Sequence, residues 1–195
     1  MKLLFLSFVK YKKDNFTVLK IDSIRGDIMM YTGRPKIKID KTQGQKIANI
    51  IGYGVFIAAV IFATINVFTL PDEVPIHFNM KGEADGWGSK YFIFILPLIA
   101  MIPCGLLEML ERAPEMSNYP NRFNEQNAEA FYRNSIQTLN IIKNAILIIF
   151  AIILCEMVFA AQGIQLLPPY ALFILTLLLL GIPIIIQLVK QKKIK

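Results

Sequence analysis

One histidine occurs in the 195 residues, His77, and it stands among the carboxylates Asp72, Glu73, Glu83 and Asp85. An imidazole beside carboxylates is the raw material of general acid–base catalysis or of a metal site. A metal site needs clustered ligands at workable spacing, and one imidazole with scattered acids falls short of that. The plainer reading is that His77 orders its own loop through hydrogen bonds. No second histidine exists to build a nucleophilic triad, and no Ser or Cys has a base beside it in sequence. No glycine-rich loop precedes a helix as a phosphate cradle would. The expectation is therefore a non-enzymatic chain with no metal and no cofactor.

A second set of chemistry-bearing residues lies inside apolar runs: Asn66, Glu108, Lys143 and Glu156. Polar side chains at such depth are costly and often functional. Glu108 and Lys143 fall at similar depth, so an ion pair and a lysine snorkelling without a partner are both open. Glu156 lies about four residues from the end of its run, with Asn66 at matching depth as its expected partner.

These residues must be positioned by membrane helices. The chain is 55% hydrophobic with mean hydropathy +0.50. Its apolar residues are gathered into runs at 47–70, 91–110, 139–160 and 170–189. Each is about 20 residues long, enough to cross roughly 30 Å of hydrocarbon as a helix. Runs this long with so few charges are rare in soluble cores. The fold class expected is an all-α membrane protein with four transmembrane helices. To these are added a compact extracellular loop between helices 1 and 2 and an amphipathic cytoplasmic helix before helix 3.

The net charge is +7, and the basic residues flank the apolar runs. They crowd before the first run (Arg34, Lys36, Lys38, Lys41, Lys46), between the second and third (Arg112, Arg122, Arg133) and after the fourth (Lys190, Lys192, Lys193, Lys195). That distribution speaks for anionic lipid and membrane orientation rather than direct contact with nucleic acid. By the positive-inside rule both termini and loop 111–138 are cytoplasmic and loop 71–90 is outside. Cys104 and Cys155 would differ in depth by about 12 Å, whereas a disulfide needs Cα atoms within about 7 Å. They are read as packing residues.

Residues 1–33 read as a basic arm, with no signal peptide: the apolar stretch 3–9 is too short and no small-residue cleavage site follows. Arg25-Gly26-Asp27 can be encoded with AGGAG, a ribosome-binding sequence, ahead of Met29 and Met30. Translation from Met29 or Met30 and a disordered or surface-lying arm are both open. Segment 34–46 reads as a polar lead-in near headgroups. Gly52 and Gly54 could permit close helix contact but are not a GxxxG pair.

Loop 70–90, LPDEVPIHFNMKGEADGWGSK, is dense in Pro, Gly, acids and aromatics. Pro71 ends the first helix by denying a donor. Val74, Ile76 and Phe78 alternate with Pro75, His77 and Asn79, which predicts a short extended segment with one apolar face. Asn79 to Gly82 and Ala84-Asp85-Gly86 carry turn chemistry. Trp87, Tyr91 and Phe92 suit an interfacial aromatic belt. Pro97 and Pro103 predict kinks in the second helix. Asn124 predicts an N-cap for a helix starting near Glu125 that lies at the membrane surface and runs into helix 3, with Ala128, Phe131, Tyr132 and Leu139 on one face.

The motif LPDxVPxHFNxxGxxDxWGSK is matched at Leu70, Pro71, Asp72, Val74, Pro75, His77, Phe78, Asn79, Gly82, Asp85, Trp87, Gly88, Ser89 and Lys90. With NYPNRFNEQNAEAFYR at 118–133, it makes the chain resemble the SdpI-like bacterial membrane proteins, which carry an N-terminal domain of unknown function, DUF1648. The resemblance covers about 34–143, leaving 144–195 as the rest of helix 3, helix 4 and a basic tail. The best-understood relative is an immunity protein that resists a secreted killing peptide and holds a repressor at the membrane. The resemblance thus implies a bacterial cell-membrane protein whose partners are the bilayer, an extracellular peptide and a cytoplasmic regulator or another membrane protein. Asp72, His77, Phe78, Asn79, Asp85 and Trp87 would contact the ligand or hold the loop's shape. This chain is shorter than the immunity proteins, which have a further membrane domain. The alternative kept beside this reading is a structural or accessory subunit docking through the same loop; a metal-dependent membrane enzyme ranks below both.

Overall fold

The computed structural model describes residues 8–13, 16–21, 28–32, 34–79 and 83–195, the first three segments as backbone only. Most of the chain is helical. Helix α1 spans Gln43–Asn66, α2 Ile95–Arg112, α3 Ala128–Ala161, α4 Pro169–Thr176 and α5 Ile182–Lys192. With the short 3-10 and π-helical turns that extend them, they form four spans long and apolar enough to cross a membrane: Gln43–Thr69, Lys90–Arg112, Ala128–Ala161 and Tyr170–Lys192. The chain is thus a multi-pass membrane protein by length and composition.

An all-α description is too narrow. Strands β1 (Phe8–Lys13), β2 (Phe16–Ile21) and β3 (Ile28–Thr32) pair as an antiparallel meander where the sequence suggested an arm. Strands β4 (Glu73–Phe78) and β5 (Ala84–Ser89) make an antiparallel hairpin between α1 and α2.

Local chemistry sets the helix ends. α1 begins four residues before the predicted 47 because Thr42 and Gln45 form a reciprocal capping box that satisfies two orphan amides. It gives way to a 3-10 turn at Val67–Thr69, and Leu70 turns extended (ψ 151°) as the residue before Pro71 must. Of the two prolines expected to kink the second span, Pro97 falls in the first turn of α2, where no intrahelical donor is required; only Pro103 lies inside the helix.

The helix expected to start near Glu125 and run into helix 3 starts three residues later, at Ala128. Residues 125–127 are a turn, and α3 runs unbroken from Ala128 for 34 residues. Its first turns bury Ala128, Phe131, Tyr132 and Ile136 under loop 113–127. The predicted apolar stripe thus meets protein. α3 ends in a Schellman motif: Gly163 takes φ +77°, its amide donates to the Ala160 carbonyl, and the Ile164 amide donates to Phe159. In the fourth span a π-helical turn, Leu177–Gly181, precedes Pro183, which cannot donate to the ladder.

The core lies where α1 and α2 pack on α3. Phe56, Ala59 and Ala63 meet Leu147, Ala151, Leu154 and Val158, with Ala100 and Cys104 from α2. Both cysteines are free thiols. Leu70, Val74 and Ile93 extend this core under the hairpin. The fourth span buries only 6% of its most apolar window.

Candidate functional site

Two polar assemblies sit at opposite ends of the α1–α3 bundle: the hairpin at one, and a buried charge cluster at the end where the lead-in to α1 and loop 113–127 lie.

The hairpin is anchored from below. Val74 is wholly buried and Pro75 is buried beside it, whereas Ile76 and Phe78 are exposed. The predicted one-sided alternation therefore fails. Register irregularities between Pro75 and Phe78 rotate the strand so that only its first half faces the core. Lys90 closes the base: its Nζ lies 3.1 Å from Asp72 Oδ1 and donates to the Leu70 carbonyl at 3.3 Å, while its amide donates to the Asp72 carbonyl. Ser89 Oγ accepts from the Tyr91 amide at 3.5 Å and starts the 3-10 turn leading into α2.

At the tip, Asn79 and Glu83 bond reciprocally through side chain and backbone. Gly82 lies outside the described residues. Ala84-Asp85-Gly86, predicted as a turn, belongs to β5. Gly86 is there for proximity: a Cβ would stand 2.9 Å from His77 Cβ. Gly88 is similar, since a Cβ would meet Ile76 Cδ1 at 2.9 Å. This approach sets His77 Nδ1 2.5 Å from Asp85 Oδ1. Their side chains are exposed. On the hairpin Ile76, Phe78 and Trp87 are also exposed, Trp87 at 61%, as are Phe68, Tyr91 and Phe92 in the turns flanking it. Pro71 and Asp72 stand exposed at the hairpin's start.

The opposite cluster is closed. Lys143 on α3 has no exposed surface, and its Nζ lies 2.5 Å from Glu108 Oε2 and 2.7 Å from Glu111 Oε1, both on α2. The snorkelling alternative is therefore out. Lys41, from the lead-in to α1, lies 3.1 Å from Glu108 Oε2 and 2.8 Å from Glu111 Oε2. Arg112 pairs with Glu108 from the exposed side. Asn140 Nδ2 donates to Glu111 Oε2 and to Asn49 Oδ1, and Asn144 Nδ2 donates to the same Asn49 oxygen. Each helix contributes from one face: 49 and 52 on α1, 108 and 111 on α2, 140, 143 and 144 on α3. Gly52 makes the room, because a Cβ there would lie 2.3 Å from Asn144 Oδ1. Sequence reasoning found Glu108 and Lys143 but not Asn49, Asn140 and Asn144. The signal was their recurrence at three- and four-residue spacing inside apolar runs.

Asn66 and Glu156 do not meet. Asn66 Oδ1 accepts from Gln162 Nε2 at 3.4 Å. Glu156 instead faces the backbone amides of Leu166 and Leu167, because the link after Gly163 folds back toward α3.

Loop 113–127 ties this end together. Arg34 lies 5.1 Å from the Tyr119 ring and 5.3 Å from Phe123 and donates to the carbonyls of Glu115 and Ser117. Tyr119 donates to the Pro114 carbonyl at 2.7 Å, and burial pushes its phenol up, so it stays a neutral donor. Arg122 donates to the carbonyls of Gln191 and Ile194, the C-terminal end of α5. Asn124 Oδ1 accepts from the Gln126 and Asn127 amides, and the helix itself starts after Asn127, not at the predicted Asn124.

Between the two assemblies the bundle is apolar: among the described residues, the buried polar side chains are Glu111, Asn127, Asn140, Lys143, Asn144 and Gln187, all toward the end away from the hairpin. Among the described residues no group of three or more His, Cys, Asp or Glu side chains is spaced to hold a metal ion.

A family model described as a domain of unknown function, DUF1648, matches residues 54–101, from α1 through the hairpin into α2. That is under half of the chain. No curated protein matches, and no solved structure matches.

Proposed function

We propose that this chain is an SdpI-like protein of a bacterial cell membrane that senses or resists an extracellular antimicrobial or signalling peptide. In this reading the hairpin faces outward, and both termini and loop 113–127 face the cytoplasm. The observation that carries it is the hairpin's construction. Val74, Leu70 and the Lys90–Asp72 pair fix its base, while Ile76, Phe78, Trp87 and Tyr91 remain exposed beside acids. A rigid base with exposed aromatics and few ordering costs is how a recognition surface is made. The family-model match centres on this segment, and the basic flanks supply the orientation.

The function is non-enzymatic and needs no cofactor. His77 and Asp85 set the hairpin's polar edge, and the loop braced by Arg34 and Arg122 is the surface for a cytoplasmic regulator. Deleting the gene should sensitise cells to at least one peptide in a broad antimicrobial panel. Complementation by wild type, but not by His77→Ala with Asp85→Ala at equal membrane abundance, is the expected result. Unchanged sensitivity across the panel would refute it. A second reading, an accessory subunit docking through Trp87, rests on the same exposed ring and predicts a co-purifying membrane protein lost in Trp87→Ala.

A further inference from the structure

Strands β4 and β5 pair only with each other among the described residues, so each has an open edge. The register says which backbone groups face those edges. The Lys90 amide donates to the Asp72 carbonyl, so these two residues are bonded across the ladder. Antiparallel pairs alternate between bonded and non-bonded. Val74 opposite Gly88 is then a bonded pair, while Glu73 opposite Ser89 and Pro75 opposite Trp87 are non-bonded. Pro75 fits this alternation, because it sits where no amide hydrogen is asked of it. The N–H and C=O groups of Trp87 and Ser89 therefore point away from β4, along the outer edge of β5.

The two edges offer different things. That of β4 is blunted: Pro75 supplies no donor, the register is irregular between Pro75 and Phe78, and Val74 and Pro75 are buried. β5 has no proline and no lysine, and Asp85, Trp87 and Ser89 stand exposed at alternate positions. The charge beside this edge is acidic. The Asp72 side chain is 97% exposed, whereas that of Lys90 is 16% exposed. Glu73 is exposed and forms no ion pair among the described residues, and Asp85 meets His77 through Oδ1 alone.

We propose that the outer edge of β5 takes up a cationic peptide in extended form as a third strand. This rests on the reading of the hairpin as a peptide-recognition surface and adds the binding mode and the charge of the partner. Main-chain bonds to Trp87 and Ser89 supply affinity. Side chains of the added strand supply selectivity: a basic residue beside Asp85 and an apolar one beside Trp87. A second copy of the chain fits this edge less well, since pairing β5 with β5 brings two acidic hairpins together.

The test is amide hydrogen exchange, followed by NMR on the full chain in detergent micelles. The probe is a short synthetic peptide with lysine and valine alternating on one face and threonine on the other. In the free chain the Trp87 and Ser89 amides should exchange faster than that of Gly88. Peptide at about ten times its Kd should slow both about tenfold. The fully N-methylated peptide, and one with glutamate in place of lysine, should not slow them, and Glu73→Lys should weaken binding of the lysine peptide. Binding that leaves the two amides unprotected, or equal binding of the N-methylated peptide, would overturn strand addition and leave peptide recognition by the hairpin standing. No binding of the lysine peptide, or equal binding of the glutamate peptide, would overturn the cationic partner. Protection of Trp87 that grows with protein concentration in the absence of peptide would assign the edge to a second copy and overturn the proposal. Failure of the wider recognition reading shows separately, as unchanged sensitivity of deletion cells to the antimicrobial panel.

Discussion

Lys143 has no exposed surface and holds two carboxylates, so its charge is tolerated only because Glu108 and Glu111 are there. Breaking such a buried pair from one side costs about 3–5 kcal/mol, because the remaining charges are stranded. Lys143→Met should therefore sharply lower the melting temperature and membrane abundance. Adding Glu111→Gln should recover part of the loss, and a double-mutant cycle measures the coupling. Gly52→Ala should cost about 1–3 kcal/mol as its Cβ meets Asn144, while Gly54→Ala, with nothing within 4 Å, should leave the melting temperature nearly unchanged. Tyr132→Phe is expected to be neutral or stabilising by about 1 kcal/mol, since the buried hydroxyl has no hydrogen-bond partner among the described residues. At this scale the sequence showed which residues were polar within apolar runs. It did not show that Asn49, Asn140 and Asn144 converge, because that depends on which helix faces meet.

At the scale of elements, the hairpin and loop 113–127 do different work. The His77–Asp85 pair is exposed, so its contribution to stability is small, about 0–1 kcal/mol. His77→Ala should leave Trp87 fluorescence and protease resistance of the hairpin unchanged; unfolding of the hairpin would make the pair structural. Loop 113–127 instead joins the lead-in to the end of the fourth span. Arg122→Ala should release the end of α5, seen as faster hydrogen exchange at Gln191 and Ile194, with little change in α2. The helices were legible from hydropathy, but the start of α1 was missed by four residues although Thr42 and Gln45 carry the capping-box spacing. The turn expected at Asn79 to Gly82 lies mostly outside the described residues, and Ala84 to Gly86, expected as a turn, belong to β5. Glycine there serves the close approach of two strands, which local turn chemistry does not reveal. Arg122 reaching Gln191 joins residues 69 apart, beyond any local pattern.

For the whole molecule, the two polar ends are separated by an apolar core, so the bundle reads as a scaffold joining two faces rather than a conduit through them. The account depends on which face is outside. Introducing Glu73→Cys or Glu125→Cys, both at exposed positions, with Cys104 and Cys155 replaced by alanine, puts one thiol at each end. A membrane-impermeant maleimide applied to intact cells should label the Glu73→Cys chain, and should reach the Glu125→Cys chain only after lysis. Labelling of the Glu125→Cys chain on intact cells, with the Glu73→Cys chain protected, would contradict the orientation and the sensing role with it.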